Sequence, residues 1–360
     1  MTEVPPPRTG IEVVRRAQEI LSTRMPAGWS IRTVEPPHVG RAPDGLLEVR
    51  APDGRTVMLV IEAKRVLEGR DLPWVSDQLD AMTLQIPGST GVAAAQYLSP
   101  QVRTALVDAG LSYVDATGNV HVETGSPGLF LSDRGADRDP WRSPGRPRGT
   151  LKGAPAARIV RALADFARSW SVRELVSVAE VSTGAGYRVV DFLEREGLAT
   201  RDDAGKVSVS DWARMLRRWS DDYGFVRSNH VSRWIAPRGL PWLMRQAAKD
   251  TETTYAFTGT LAAAEWAEYA PARSAMIYTP DAARSADAWG LRPTEAGANV
   301  LLAEPAIDVV FDRALTNEVG VYLAAPSQVV VDLMTGPGRS PAEAEELLEW
   351  MKRNETFWRT

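Results

Sequence analysis

The sequence predicts a multi-domain α/β protein, and three observations lead there. At 360 residues the chain exceeds what one hydrophobic core usually serves. The stretch SDRGADRDPWRSPGRPRGTLKG, ending at Gly153, is rich in glycine, proline and charge and has no apolar period, so it breaks the chain. The pattern also changes across that break. Strands and helices alternate ahead of it, helices and a short hairpin follow, and a mixture of both runs to the end. The expected parts are residues 1–132, a basic linker over 133–153, a helical unit over 154–222 and an α+β unit over 223–360.

Composition narrows the class. Cysteine is absent, which excludes disulfides and thiolate metal sites and leaves His38, His121 and His230 as the imidazoles. The net charge of −4 does not announce a nucleic-acid partner, so any basic surface has to be local. No apolar run is long enough to span a bilayer, and the first residues are proline-rich and polar, unlike a secretory signal. A cytoplasmic protein with no membrane partner is expected.

In the first part, apolar periodicity predicts a helix over Ile11 to Arg24, two strands around a turn, and a helix over Val75 to Gln85. A strand at Gly91 to Gln96, a helix over Pro100 to Ala109 and a hairpin over Ser112 to Glu123 follow. The turn carries the chemical information. Ala51-Pro52-Asp53-Gly54 has proline and glycine where a three-residue hairpin loop needs them, so Ala51 pairs with Arg55. Counting outward brings Asp44 opposite Glu62, and alternation puts Lys64 on the same face, with Glu48 as a reserve ligand.

Two carboxylates beside an ammonium suit a hard, oxygen-preferring cation. The residues Pro43-Asp44 with Glu62-Ala63-Lys64 resemble the signature of the PD-(D/E)xK restriction-endonuclease-like superfamily. That resemblance implies a magnesium ion on Asp44 and Glu62, with Lys64 orienting the attacking water. A surface charge cluster, or a retired site kept for DNA contact, accounts for the same residues.

The linker carries Arg142, Arg146, Arg148 and Lys152 with no acid after Asp139, so Arg146 and Arg148 are candidates for following a phosphate backbone; a solvated tether is the plain alternative. Beyond it, AARIVRALADFAR places Ile159, Leu163 and Phe166 at helical spacing. Ser171 is a good N-cap for a second helix, and a third begins near Ser182 and stops at Gly197. A hairpin with the polar tip Asp202-Asp203-Ala204-Gly205 follows.

The string VRELVSVAEVSTGAGYRVVDFLEREGLATRDDAGKVSV resembles bacterial winged helix-turn-helix regulators over the whole unit. In that fold the start of the third helix enters the major groove, which makes Ser182, Thr183, Tyr187 and Arg188 the base-edge candidates. Arg201 and Lys206 on the hairpin are placed for phosphates. Residues 141–220 hold 15 Lys plus Arg against 9 Asp plus Glu, a local basic excess in an acidic chain.

In the last part, Tyr255 to Ala264, Ser274 to Pro280, Gly297 to Leu302 and Gly320 to Leu333 read as apolar strands, and Arg339 to Arg353 as an amphipathic helix. TGTLAAAEWA, APSQVVVDL and GRSPAEAEELLEWM resemble the C-terminal domain of AbiEi-type antitoxins, which implies promoter binding and a toxin-like protein partner. Gly259 and Gly320 form no phosphate loop, and the tryptophans read as core or interface.

The expectation is thus a restriction-endonuclease-like α/β domain, a winged helix-turn-helix and a C-terminal α+β domain. The leading function is sequence-specific binding of double-stranded DNA by a transcriptional regulator, acting as a homodimer in the manner of that class. The alternatives are a magnesium-dependent DNA endonuclease targeted by the winged helix and an antitoxin-like partner-binding protein.

Overall fold

A computed structural model describes residues 5–35, 42–141 and 149–360. Its chain forms two compact units, one of Met1–Pro147 with Leu193–Gly197, the other of Arg148–Phe192 with Leu198–Thr360. Arg146 and Arg148, named above as backbone followers, lie outside the described residues.

The first unit is a mixed sheet covered on both faces. Its elements run α1 (Gly10–Arg24), β1 (Ser30–Thr33), β2 (Gly45–Arg50), β3 (Thr56–Lys64), α2 (Leu72–Gln85), β4 (Thr90–Ala95), α3 (Pro100–Asp108), β5 (Ser112–Asp115), β6 (Val120–Thr124) and β7 (Leu129–Asp133). The strands lie in chain order across one seven-stranded sheet. The pairs β3–β4 and β4–β5 are parallel and the others antiparallel.

Alternation along β3 divides the core. Leu59 and Ile61 pack with Val13, Ala17 and Leu21 of α1. Val60 packs with Val75, Leu79 and Met82 of α2 and with Val102 and Leu106 of α3. Strands buried on both faces read as nearly continuous apolar runs, as β3 and β4 do here.

The hairpin loop forms as its residues dictate. Ala51 N donates to the Arg55 carbonyl (2.9 Å), and Gly54 takes the left-handed conformation (φ 87°) that a side chain resists. Two strands escape the sequence reading: β1, exposed along most of its length, and β7, which extends to Asp133 where a linker was expected to begin.

The second unit begins with α4 (Ala154–Asp165), α5 (Val172–Val178) and α6 (Thr183–Arg195), then β8 (Thr200–Arg201), β9 (Val207–Ser208) and α7 (Trp212–Ser220). It continues through α8 (Phe225–Ser228), β10 (His230–Ile235), α9 (Leu240–Ala247), β11 (Ala256–Thr258), α10 (Gly259–Ala263), β12 (Ala275–Tyr278) and α11 (Ala282–Ala288). The remaining elements are β13 (Arg292–Pro293), β14 (Val300–Glu304), β15 (Leu315–Thr316), β16 (Tyr322–Leu323), α12 (Pro326–Met334), α13 (Ser340–Arg353) and α14 (Glu355–Trp358). A second seven-stranded sheet has the order β13-β10-β14-β12-β11-β16-β15.

In two places the fold departs from the strands that the sequence pattern predicts. Gly320 to Leu333 holds a two-residue strand and then the helix α12, because Pro326 opens a helix well and Pro326 to Leu333 are buried all round. A continuous apolar run does not show by its period which of the two it will be. Tyr255 to Ala264 likewise splits at Gly259 (φ 65°) into β11 and α10.

A buried polar network joins α4 to α12 and to the sheet behind it. Arg161, 2% exposed, donates from Nε to Asp165 Oδ2 (3.0 Å), from Nη1 to the Val309 carbonyl (2.9 Å) and to Gln328 Oε1 (3.2 Å), and from Nη2 to the Asp312 carbonyl (2.8 Å). Asp165 also accepts from Ser327. Gln328 Nε2 donates to Asp332 Oδ1 (3.0 Å), which also accepts from Tyr278 Oη (2.8 Å), while Thr258 Oγ1 donates to Asp332 Oδ2 (2.6 Å). Complete burial raises the Asp332 carboxyl to about 7 in spite of these donors.

Candidate functional site

The clearest surface feature is built from the three helices α4 to α6 and the ribbon after them. Ser171 starts α5 through a capping box: its Oγ accepts from Glu174 N (3.2 Å) and its own N donates to Glu174 Oε2 (2.9 Å). The helix ends at Ala179, and Glu180 then turns the chain through a left-handed conformation (φ 49°). Helix α6 follows at once and packs closely on α5. A Cβ on Gly186 would lie 2.3 Å from Val176 Cγ2, so only glycine allows this approach.

That packing sorts the residues of α6 by face. Ala185, Gly186, Val189, Val190, Phe192 and Leu193 are buried, whereas Ser182, Thr183, Gly184, Tyr187, Arg188 and Asp191 are exposed. The four residues singled out from sequence for base edges therefore share the solvent face at and just before the start of α6. The ribbon is also a hairpin. Thr200 pairs with Ser208, Arg201 with Val207, and Gly205 (φ 77°) completes the turn. Trp170, ahead of α5, bridges Val207 on the other side of β9 and makes a third short rung.

Charge is arranged unevenly over this unit. Arg158 bridges Glu180 (3.2 Å) and Asp308 (2.7 Å), Arg161 is consumed by the buried network, and Arg217 binds Glu345. By contrast, the side chains of Arg168, Arg173, Arg188 and Lys206 make no hydrogen bond or ion pair among the described residues, and all four are exposed. Arg201 is exposed on β8. Sequence reading does not pick out Arg168; its signal is an arginine two residues before a tryptophan in the segment between α4 and α5.

In the first unit the strand register brings the expected acids together. Gly45 pairs with Ile61, so Asp44 is the next residue outward and faces Glu62. Asp44 is exposed, and its Oδ2 accepts a hydrogen bond from Ala63 N (2.8 Å); Glu62 is 5% exposed. Lys64 follows on the same face, but its ammonium lies 3.6 Å from Asp71 Oδ1 and 4.1 Å from the centre of the Trp74 ring. Glu48 is bound by both Arg32 (2.9 and 3.0 Å) and Arg50 (3.3 Å), which removes it as a reserve ligand. Those arginines hold its carboxyl below the usual range, the Arg32 hydrogen bond contributing most.

A search among known protein families, curated proteins and solved structures finds no match. Among the described residues no group of three or more His, Asp or Glu side chains is arranged to hold a metal ion, and no helix is long and apolar enough to cross a membrane. Asp44 and Glu62 are a pair of carboxylates, a ligand set that suits magnesium only where water and phosphate oxygens fill the remaining positions.

Proposed function

We propose that the second unit binds double-stranded DNA in a sequence-specific manner, with α6 as the reading helix of a winged helix-turn-helix, and that the protein is a transcriptional regulator. One observation carries the reading. Ser182, Thr183, Tyr187 and Arg188 form a solvent-facing stripe at the start of a helix whose other face is locked to α5 at Gly186, and the Arg188 guanidinium keeps its donors unspent. A rigid helix presenting short polar groups and a free guanidinium suits major-groove edges, where arginine pairs bidentately with guanine. The ribbon residues Arg201 and Lys206 suit phosphates, which position the protein without reading sequence.

The test is binding of the full chain to fragments of its own promoter and to scrambled duplexes, followed by fluorescence anisotropy. Preference for a promoter fragment is expected, and Arg188→Ala is expected to cost about 1–3 kcal/mol of discrimination with thermal stability unchanged. Equal affinity of the parent protein for every probe overturns the reading.

A second reading draws on the register that sets Asp44 against Glu62: the first unit is a magnesium-dependent nuclease domain of the restriction-endonuclease-like class, delivered to DNA by the second. Plasmid cleavage in magnesium that stops in EDTA and in Lys64→Ala favours it. Intact plasmid under all these conditions leaves the regulator alone.

A further inference from the structure

Arg168 occupies an unusual position. It lies on the segment between α4 and α5, with its guanidinium carbon 3.5 Å from the centre of the Trp170 ring. Trp170 is 2% exposed, and its backbone is fixed to the ribbon by Trp170 N to the Val207 carbonyl (2.8 Å) and Val207 N to the Trp170 carbonyl (2.7 Å). The indole is thus a rigid platform, and the exposed Arg168 lies over its ring. Stacking uses the flat face of a guanidinium and leaves the in-plane N–H donors free.

Those donors have no hydrogen-bond or ion-pair partner among the described residues. Glu174 is the acid that Arg168 and Lys206 both feel, yet its carboxylate is turned back onto Ser171 N to close the capping box. Its side-chain and backbone hydrogen bonds with Ser171 are the main reason that it stays ionised below the usual carboxylate range, and attraction to Arg168 and Lys206 adds to them. No ion pair forms between Glu174 and either cation among the described residues. Lys206 immediately precedes Val207, the residue that bridges Trp170, and Arg173 lies in the first turn of α5. Arg168, Lys206 and Arg173 are thus three exposed cations, with no hydrogen bond or ion pair from their side chains among the described residues, on the segments next to Trp170 and Val207.

We infer that Arg168, held flat on Trp170, grips the phosphodiester backbone of duplex DNA together with Lys206, as a contact separate from the base-edge contacts of α6. This rests on the DNA-reading proposal above. A phosphodiester offers two anionic oxygens to a guanidinium edge, and arginine is the side chain that meets them bidentately. Trp170 is a positioning residue here: it holds Arg168 extended before DNA arrives, so less side-chain freedom is lost on binding.

The experiment measures the affinity of the full chain for one promoter duplex and one scrambled duplex between about 50 and 200 mM NaCl, a range over which each phosphate contact changes affinity by about threefold. Arg168→Gln is expected to weaken both duplexes alike and to lower the slope of log affinity against log salt by about 0.9. Glu174→Gln, which can still cap α5, is expected to tighten both. Arg168→Lys keeps the charge without the planar stack, and is expected to retain the slope with reduced affinity; it serves should Arg168→Gln fold poorly. Slopes and affinities unchanged in Arg168→Gln, while Arg188→Ala still reduces discrimination, overturn this inference and leave the DNA reading standing. A parent protein that binds neither duplex overturns both.

Discussion

Arg161 and Arg188 sit on helices of the same small bundle and are used in opposite ways. Arg161 on α4 is surrounded by acceptors: a carboxylate, a side-chain amide and two backbone carbonyls account for its donors, all away from water. Arg188 on α6 is exposed and has no partner among the described residues. The acid-bearing face of the first unit resembles the former case, since Lys64 is engaged by Asp71 and Trp74 and Glu48 by two arginines. A cation whose donors are consumed internally holds the fold together. One kept ordered but unspent is available to a partner, and in this chain such cations surround α5, α6 and the ribbon.

The strongest way to break that contrast is to remove the buried member. Arg161→Ala strands Asp165 and Gln328 in the interior, and loss of one partner from a buried pair costs about 3–5 kcal/mol. Denaturant unfolding of the variant is expected to show that loss, whereas Arg188→Ala is expected to leave the midpoint unchanged. Equal stability losses in the two would erase the distinction.

Next comes the contact that aims the free arginine. Gly186→Ala forces a methyl group against Val176 and is expected to cost about 1–3 kcal/mol. Because α6 must shift on α5, DNA discrimination is expected to fall as well. Adding Val176→Ala makes room for that methyl group, and the double variant is expected to recover discrimination better than it recovers stability.

Asp332 sharpens the comparison through pH. Burial raises its carboxyl to about 7, above the value of an unfolded chain, so the folded protein retains a proton that the unfolded one releases. That contribution to stability is fully present below the ordinary carboxylate range and is lost as pH rises through about 7. Asp332→Asn removes the titration, so its melting temperature relative to the parent is expected to improve between pH 5 and pH 8. A constant difference across that range contradicts the assignment.

The smallest effect is expected at Lys64. Lys64→Ala gives up one half-exposed ion pair and one cation–π contact, together worth about 1 kcal/mol. Promoter affinity measured by anisotropy is expected to be unaltered. A large loss of affinity would make the first unit a principal DNA-binding surface and would equalise the two regions.

Local chemistry in the sequence accounts for the elements whose residues leave the backbone little choice. The Pro52-Asp53-Gly54 loop set the β2–β3 register and with it the meeting of Asp44 and Glu62; Ser171 with Glu174 set the start of α5; alternation at 3.6 residues sorted α6 into a buried and an exposed face. These are short-range effects, carried by a few adjacent side chains, so they survive in a linear reading.

The remaining features depend on partners distant in the chain. Whether the run ending at Leu333 became strand or helix was decided by the groups that bury it on every side. That Arg161 would be interior and Arg188 exterior followed from where Val309, Asp312 and Gln328 arrive, well over a hundred residues later than Arg161. The attachment of Lys64 to Asp71 and Trp74 likewise needed the start of α2 folded against the end of β3. Sequence alone thus determined which residues carry charge and which local elements present them, while tertiary structure decided which charges are spent, because pairing in a low-dielectric interior depends on distances that only the folded chain sets.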